Sequence, residues 1–239
     1  MKDPNIDEIL DRAAKAPHQV DPALLGRISA SLGATMRPVR PLLPAAQLAA
    51  LLLLTSAGIA LVFAFALGTF GIQKMDVAEI GSIFPALGIF TWLVALVCVA
   101  EMTPGGLRWK NPSIMEPLMT NPAMLLLAVL VLWLTIDAIF FHDYAMDFFV
   151  SQGIPCLRAG LIVAIPTGIA AWLLLGRGFA VNRTAAGVAA GTLAGLAGLL
   201  MLELHCPNFH ALHIMVWHTA VVPISGLAGA LLARLNPHR

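Results

Sequence analysis

The residues best suited to chemistry are the cysteines and histidines in the second half of the chain. Two of the three cysteines, Cys156 and Cys206, and five of the seven histidines lie between positions 142 and 218. Three kinds of chemistry are open to such a set: a disulfide in an oxidising compartment, binding of a metal such as zinc or cadmium, or redox sensing by the thiols. The chain has no C-x2-C pair, so spacing alone does not favour a metal.

Most of these side chains lie close to Cys206 in the sequence. The candidates for a metal-binding or hydrogen-bonding cluster are Glu203, His142, His205, His210, His213 and His218. At about 100° per residue, His210 and His213 share one stripe of a regular helix, whereas His218 lies about 140° from His213. One straight helix cannot direct both His213 and His218 at one ion. We therefore expect His218 to be a buried, hydrogen-bonded histidine between helices.

The amino-acid composition indicates the class of protein that carries these side chains. Of the 239 residues, 59% are hydrophobic and only 11% are charged, against about 25% charged in an ordinary soluble domain. So few charges cannot cover a water-exposed surface, which predicts that most of the exterior faces lipid. The net charge of +1 gives no reason to expect direct binding of nucleic acid.

The apolar runs predict an all-α, polytopic membrane protein with a bundle of six transmembrane helices. A helix that crosses a bilayer needs about 20 mostly apolar residues. The predicted spans cover residues 44–69, 83–101, 121–141, 156–175, 184–205 and 210–233. Together they form a membrane domain over residues 44–235, which follows a polar region over residues 1–43.

The distribution of lysine and arginine predicts that both termini are cytoplasmic. An even number of spans places both termini on one side of the membrane. Twelve of the 14 Lys and Arg residues then lie on that side, and only Lys74 and Arg158 lie on the other. Basic residues concentrate in the cytoplasmic loops of membrane proteins. The cysteine and histidine group is therefore expected at the outer face.

Glycine spacing in the fifth span indicates how this helix packs. Gly187, Gly191 and Gly195 recur every four residues and form a stripe that another helix backbone can approach closely. The favoured interpretation is packing within the bundle. The alternative is a homodimer that forms through this stripe.

The membrane domain gives little support for transport or catalysis. Transporters usually carry ionisable groups at mid-bilayer depth, whereas Asp137 and Glu203 lie within about a turn of the predicted span ends. A membrane thiol oxidase would be expected to carry a closely spaced cysteine pair, and the sequence has no phosphate-binding loop or serine-hydrolase motif. The chain is predicted not to be an enzyme and to require no cofactor, with a metal ion at the outer face left open.

The polar N-terminal region carries an apolar stripe at helical spacing, formed by Leu24, Leu25, Ile28 and Leu32. A segment of about 40 residues cannot build its own core, so this stripe must contact the membrane surface, loops of the same chain or another protein. Residues 1–43 mix six basic with five acidic residues, which argues against a lipid-binding helix. A protein partner is the favoured interpretation.

Three motifs resemble those of a known family. Pro38-Val39-Arg40-Pro41 precedes the first span, Cys156-Leu157-Arg158-x-Gly160 begins the fourth, and Leu204-His205-Cys206-Pro207 leads to Trp217-His218. In their order and in the predicted topology they resemble the NrsF family of bacterial six-helix inner-membrane anti-sigma factors. The resemblance covers essentially the whole chain.

This resemblance implies that the N-terminal region binds an extracytoplasmic-function sigma factor at the bacterial inner membrane. It also implies that Cys156 and Cys206 take part in sensing an outside stress, such as a heavy metal or an oxidant. The sequence thus predicts a membrane-bound anti-sigma factor. The alternatives are a membrane redox or metal-handling enzyme built on the outer cysteine and histidine group, and a transporter.

Overall fold

The computed structural model describes residues 22–35, 43–102, 121–176, 180 and 182–235. The chain divides into two compact units, Met1–Pro41 and Leu42–Arg239. The proline motif at 38–41, both termini and the basic residues of the connection 103–120 lie outside the described residues. The cytoplasmic placement of the termini and the assignment of functions to residues 1–43 and 44–235 therefore stay predictions.

The described part of the first unit is a single helix, α1, which runs over Pro22–Thr35. Leu24, Leu25 and Ile28 lie on one stripe of this helix and are 45%, 52% and 46% exposed. The side chain of Leu32 lies outside the described part of the structure. The predicted helix is thus present, and the three described members of its apolar stripe are exposed.

The second unit consists of helices over its described residues. In chain order they are α2 Ala45–Leu67, α3 Val77–Met102, α4 Pro122–Phe140, α5 Phe149–Leu175, α6 Arg183–His205 and α7 Ala211–Leu235, the last of which contains a π turn at Ile214–His218. No β-strand occurs among the residues that the structure describes. The predicted all-α class is confirmed.

Within the described part of the chain, five helices are long and apolar enough to cross a membrane, namely α2, α3, α5, α6 and α7. Helix α4 has 19 residues, and its apolar part is the shorter segment Leu126–Phe140. Its start is fixed by Asn121, whose side chain accepts a hydrogen bond from the N–H of Ala123 at 3.1 Å. A crossing by α4, which would complete six spans, stays a prediction.

Two helices begin earlier than hydropathy predicts. Helix α3 begins at Val77 because Asp76 and Glu79 form a reciprocal capping pair, with backbone-to-carboxylate hydrogen bonds of 2.8 and 2.7 Å. Helix α5 begins at Phe149, so the predicted start at residue 156 is wrong. Cys156 consequently lies two turns inside α5 and not at its first residue.

Helix α6 forms the centre of the second unit. In its most apolar stretch 72% of the residues are buried, against 33% in that of α2. A Cβ atom added at Gly195 would lie 2.6 Å from the Cα atom of Val222, and at Gly187 and Gly191 it would also meet backbone atoms of α7. Only glycine permits so close an approach of two backbones. The glycine stripe is therefore covered by α7 of the same chain, and the homodimer interpretation of this surface is wrong.

Candidate functional site

Three connections meet at one end of the second unit, which we call the Cys206 end. They are the α2–α3, α4–α5 and α6–α7 connections, at residues 68–76, 141–148 and 206–210. The N–H groups of Gly71 and Ile72 donate to the carbonyl oxygen of Leu204 at 3.1 and 3.2 Å, and the N–H of Ala211 donates to that of Asp143 at 2.6 Å. Backbone hydrogen bonds thus fix the α2–α3 connection to the end of α6 and the α4–α5 connection to the start of α7.

The two cysteines singled out in the sequence lie side by side at this end. Cys156 comes from α5, Cys206 caps α6, and their Sγ atoms are 3.4 Å apart as free thiols. Cys206 is buried and Cys156 is half-buried. The hydrogen bond with Cys156, together with burial, raises the pKa of Cys206 above its ordinary value. Either a sulfur–sulfur bond or a shared ion could join these thiols after only a small movement.

The π turn brings His213 and His218 together, contrary to the expectation from regular helical geometry. The N–H of Thr219 donates to the carbonyl oxygen of Ile214, five residues earlier, at 3.2 Å. This wider turn reduces the angular separation of residues five apart. The two imidazole rings are nearly perpendicular, and their centroids are 5.2 Å apart. The argument against an ion shared by His213 and His218 assumed one straight α-helix, and this assumption was wrong.

Four side chains therefore converge at the Cys206 end, and we call them the donor cluster: Cys156, Cys206, His213 and His218. One sulfur or nitrogen atom from each lies within 4.8 Å of the corresponding atom of every other member. The Nε2 atom of His213 is 3.5 Å from the sulfur of Cys206. Cys206 and the two histidines are buried. Two sulfur and two nitrogen donors in this arrangement are suited to a tetrahedral metal ion.

Glu203 orients one of these histidines. The Nδ1–H group of His218 donates to Oε1 of Glu203 at 2.9 Å, and both side chains are 1% exposed. The expectation of a buried, hydrogen-bonded His218 agrees with this geometry. Because Nδ1 is occupied by the carboxylate, Nε2 is the atom left for another partner, and it has none among the described residues.

The other predicted histidines lie outside the donor cluster. The Nδ1 atom of His205 donates to the carbonyl oxygen of Gly68 at 2.7 Å, and that of His210 contacts the carboxylate of Asp143 at 2.9 Å. His142 is exposed. The expected stripe of His210 and His213 does not form, because His210 precedes the first residue of α7.

Sequence reasoning missed two glycines that shape this end. A Cβ atom at Gly71 would lie 2.6 Å from the carbonyl oxygen of Glu203 and 2.8 Å from that of Cys206. At Gly153 a Cβ atom would overlap the indole ring of Trp217. Both glycines let distant segments approach the cluster closely, and neither lies in a repeat or motif that could have identified it.

A polar cavity of about 580 Å³ adjoins the same connections. Its lining includes the three acidic residues Glu79, Asp143 and Asp147 and the single basic residue Lys74. The segment Pro207–His210, which joins Cys206 to α7, forms another part of the wall. The cavity is therefore bounded by the same segment that connects the donor atoms of α6 and α7.

Comparison with known proteins gives a match over most of the chain. The model of the NrsF family, described as negative regulator of sigma F, matches residues 32–236. No curated protein and no solved structure matches. The matched region contains α2 to α7 with the whole donor cluster, whereas Leu24, Leu25 and Ile28 precede it. The chain belongs to the NrsF family of negative regulators of sigma F.

Proposed function

We propose that this chain is an anti-sigma factor of the bacterial inner membrane and not an enzyme. The family match over residues 32–236 carries this proposal, together with the five helices suited to crossing a membrane. In this proposal α4 supplies a sixth crossing, both termini are cytoplasmic and the Cys206 end faces outward. The N-terminal region holds a sigma factor until a signal from outside releases it.

The orientation is supported by the three connections of the Cys206 end. All three join consecutive helices on one side of the bundle, as expected if α2 to α7 cross alternately. The Lys and Arg count gives twelve on the proposed cytoplasmic side and two outside, in line with the rule that basic residues stay inside. Helix α4, with 19 residues, is about 28 Å long. This length is close to the thickness of the hydrocarbon core of a bilayer, which is about 30 Å.

Sigma-factor binding is assigned to the apolar stripe of α1, which comprises Leu24, Leu25, Ile28 and Leu32. Three of these leucine and isoleucine side chains are exposed, and Arg27 is the only charged residue of this helix. A helix with one apolar face and little charge is suited to a hydrophobic groove in another protein. These side chains are 45–52% exposed, so burial of their remaining surface would contribute about 0.7–1.5 kcal/mol each to binding.

The signal is assigned to Cys156 and Cys206, with a heavy metal or an oxidant as the stress. Their sulfur atoms are adjacent, yet they belong to helices that are separate in sequence. An event that joins or separates them therefore favours one position of α5 relative to α6 and α7 over another. A ligand can bias two such arrangements only by its differential free energy for them, and about 1–3 kcal/mol gives a 5–150-fold response.

A membrane redox or metal-handling enzyme is the second candidate, and the donor cluster is the observation that favours it. Four metal-binding or redox-active side chains within 4.8 Å of one another resemble a catalytic centre as much as a sensor. Turnover of a thiol, quinone or metal substrate by the purified chain would favour this candidate. Co-purification of a sigma factor would favour the first.

The proposal is tested by isolating the full chain from its native membranes in mild detergent. We expect an extracytoplasmic-function sigma factor to co-purify with it. The double variant Leu25→Asp and Ile28→Asp should lose this partner, because carboxylates on the stripe cannot be desolvated in an interface. Ala30→Asp places one charge on the opposite side of the same helix and serves as the matched control.

Both variants should insert into the membrane at the wild-type level, which membrane fractionation measures. Equal recovery of the sigma factor with the double variant would remove α1 from the mechanism. Absence of any sigma factor from the wild-type preparation would refute the function itself.

A further inference from the structure

We propose that the donor cluster binds one divalent cation of the zinc class, in a tetrahedral site with two sulfur and two nitrogen ligands. The ligands are the thiolates of Cys156 and Cys206, one nitrogen of His213 and Nε2 of His218. This proposal names the chemistry recognised by the cysteine sensor, and its regulatory meaning rests on the proposed function. The ion-binding part of it stands on the geometry alone.

The observed distances are close to those of a bound ion. Zinc ligands lie at about 2.3 Å for sulfur and about 2.0–2.1 Å for nitrogen, which places neighbouring ligands of a tetrahedron about 3.3–3.8 Å apart. The two sulfur atoms are 3.4 Å apart, and Nε2 of His213 is 3.5 Å from the sulfur of Cys206. No two of the four donor atoms are more than 4.8 Å apart. Side-chain movements of about 1 Å therefore complete the site.

His218 and Glu203 supply an independent indication of a ligand. Metal-binding histidines usually donate their second N–H to a carboxylate, which fixes the ring orientation and the tautomer. Nδ1 of His218 donates in this way to Glu203, while its Nε2 atom is buried without a partner among the described residues. A buried nitrogen without a hydrogen bond costs free energy. A metal ion at the cluster would provide the missing partner.

Charge and ligand type together select the class of ion. When the ion binds, each thiol gives up its proton to the solvent, and two thiolates then balance a charge of +2 in a buried site. Magnesium and calcium require oxygen ligands, whereas a tetrahedral set of sulfur and imidazole nitrogen suits zinc or cadmium. A disulfide would use only the two cysteines and would leave the inward positions of both histidines without an explanation.

The polar cavity gives a cation an approach to the Cys206 end. Three acidic residues and one lysine give its lining an excess of negative charge when His210 is neutral. A cleft lined by one sign of charge raises the local concentration of counter-ions. A cation would thus be drawn toward the acidic residues of this cavity, whereas the ammonium of Lys74 donates to the carbonyl oxygen of Pro207 at 3.1 Å.

The test uses the reduced, chelator-treated full chain in detergent, titrated with Co²⁺ and with Zn²⁺. We expect one ion per chain, with the visible spectrum of tetrahedral Co²⁺ and a thiolate charge-transfer band. X-ray absorption of the zinc-loaded wild type should show two sulfur and two nitrogen ligands, a result that needs no variant. Glu203→Gln should weaken Co²⁺ binding about 10–100-fold without changing the ligand set. Loss of Cys156 (C156S), His213 (H213A) or His218 (H218A) should weaken it more.

Two controls are matched to these variants. His210→Ala removes a neighbouring histidine that pairs with Asp143, and Cys98→Ala removes the buried cysteine that lies outside the donor cluster. Both should bind Co²⁺ as the wild type does.

Three results would overturn the inference: no ion bound by the reduced wild type, a ligand set without nitrogen, or Co²⁺ affinity unchanged in both histidine variants. Binding of Co²⁺ by a chain that never co-purifies with a sigma factor would refute the proposed function and leave the site intact. Co-purification of a sigma factor with a chain that binds no Co²⁺ would refute the metal site and leave the proposed function intact.

Discussion

Substitution of Gly195 by alanine tests the close packing of α6 against α7, on which three of the four donors depend. The added Cβ atom would lie 2.6 Å from the Cα atom of Val222, whereas ordinary contacts lie at 3.4–4 Å. The obstructing atom belongs to the backbone, so no rotamer change can relieve the overlap. The two helices must separate by about 1 Å at this level, which weakens dispersion contacts along the whole glycine stripe.

The magnitude follows from two opposing effects. Overpacking of this kind costs about 1–3 kcal/mol, with the upper part of the range expected against backbone. Alanine gains about 1 kcal/mol over glycine in a helix interior. We therefore expect Gly195→Ala to lower the free energy of unfolding by about 1–2 kcal/mol. Gly168→Ala is the matched control, because its Cβ atom would lie 3.8 Å from that of Ala194, an ordinary van der Waals contact. This variant should raise the free energy of unfolding by about 0.5–1 kcal/mol.

The assay is thermal unfolding in detergent, followed by circular dichroism and tryptophan fluorescence. A difference of about 1.5–3 kcal/mol between the two variants corresponds to roughly 3–12 °C in Tm for a chain of this size. The reasoning is refuted if Gly195→Ala melts at the same temperature as Gly168→Ala or above it.

Two further predictions concern topology and signalling. A reporter active only in the cytoplasm should work when fused after Arg239, and one active only outside should work within residues 143–153; a cytoplasmic signal from 143–153 would contradict the six-helix arrangement. Replacement of Cys156 and Cys206 by serine should abolish induction of a sigma-dependent promoter by metal or oxidant, because serine hydroxyls neither form disulfides nor bind soft ions. Cys98→Ala should keep full induction, and full induction in the double variant would mean that the outer thiols only support the fold.

The helices could be predicted because apolar runs and caps are local features of the sequence. Predicted spans at 44–69 and 184–205 agree within two residues with Ala45–Leu67 and Arg183–His205. The start of α3 was missed although its signal was present, since Asp76 and Glu79 form a capping pair. The amino-terminal turns of α5 were missed because Gln152 and its polar neighbours resemble a loop. In the structure, Gln152 accepts a hydrogen bond from Asn208 at 2.8 Å.

The donor cluster could be predicted only in part. The predicted spans placed Cys156 and Cys206 at one end of the bundle, but the 3.4 Å separation of their sulfur atoms did not follow from the sequence. The position of His218 beside His213 did not follow, because the run Ile214–His218 contains nothing that distinguishes a π turn from a regular α turn. Tertiary contacts accompany this turn, including a tilted contact between the rings of Trp217 and Phe149, whose centroids are 5.4 Å apart. Such contacts join residues far apart in sequence, and local periodicity in the sequence does not predict them.

The donor groups are divided unequally between two parts of the bundle. Cys206, His213 and His218 belong to the closely packed pair α6 and α7, whereas Cys156 alone belongs to α5. An ion held by the first three gains further affinity only when α5 brings the fourth donor within bonding distance. Because linked equilibria are reciprocal, this gain equals the free energy with which the ion favours that position of α5. The ratio of ion affinities in the wild type and in Cys156→Ser therefore sets the upper limit of the shift in the position of α5 that the ion can produce.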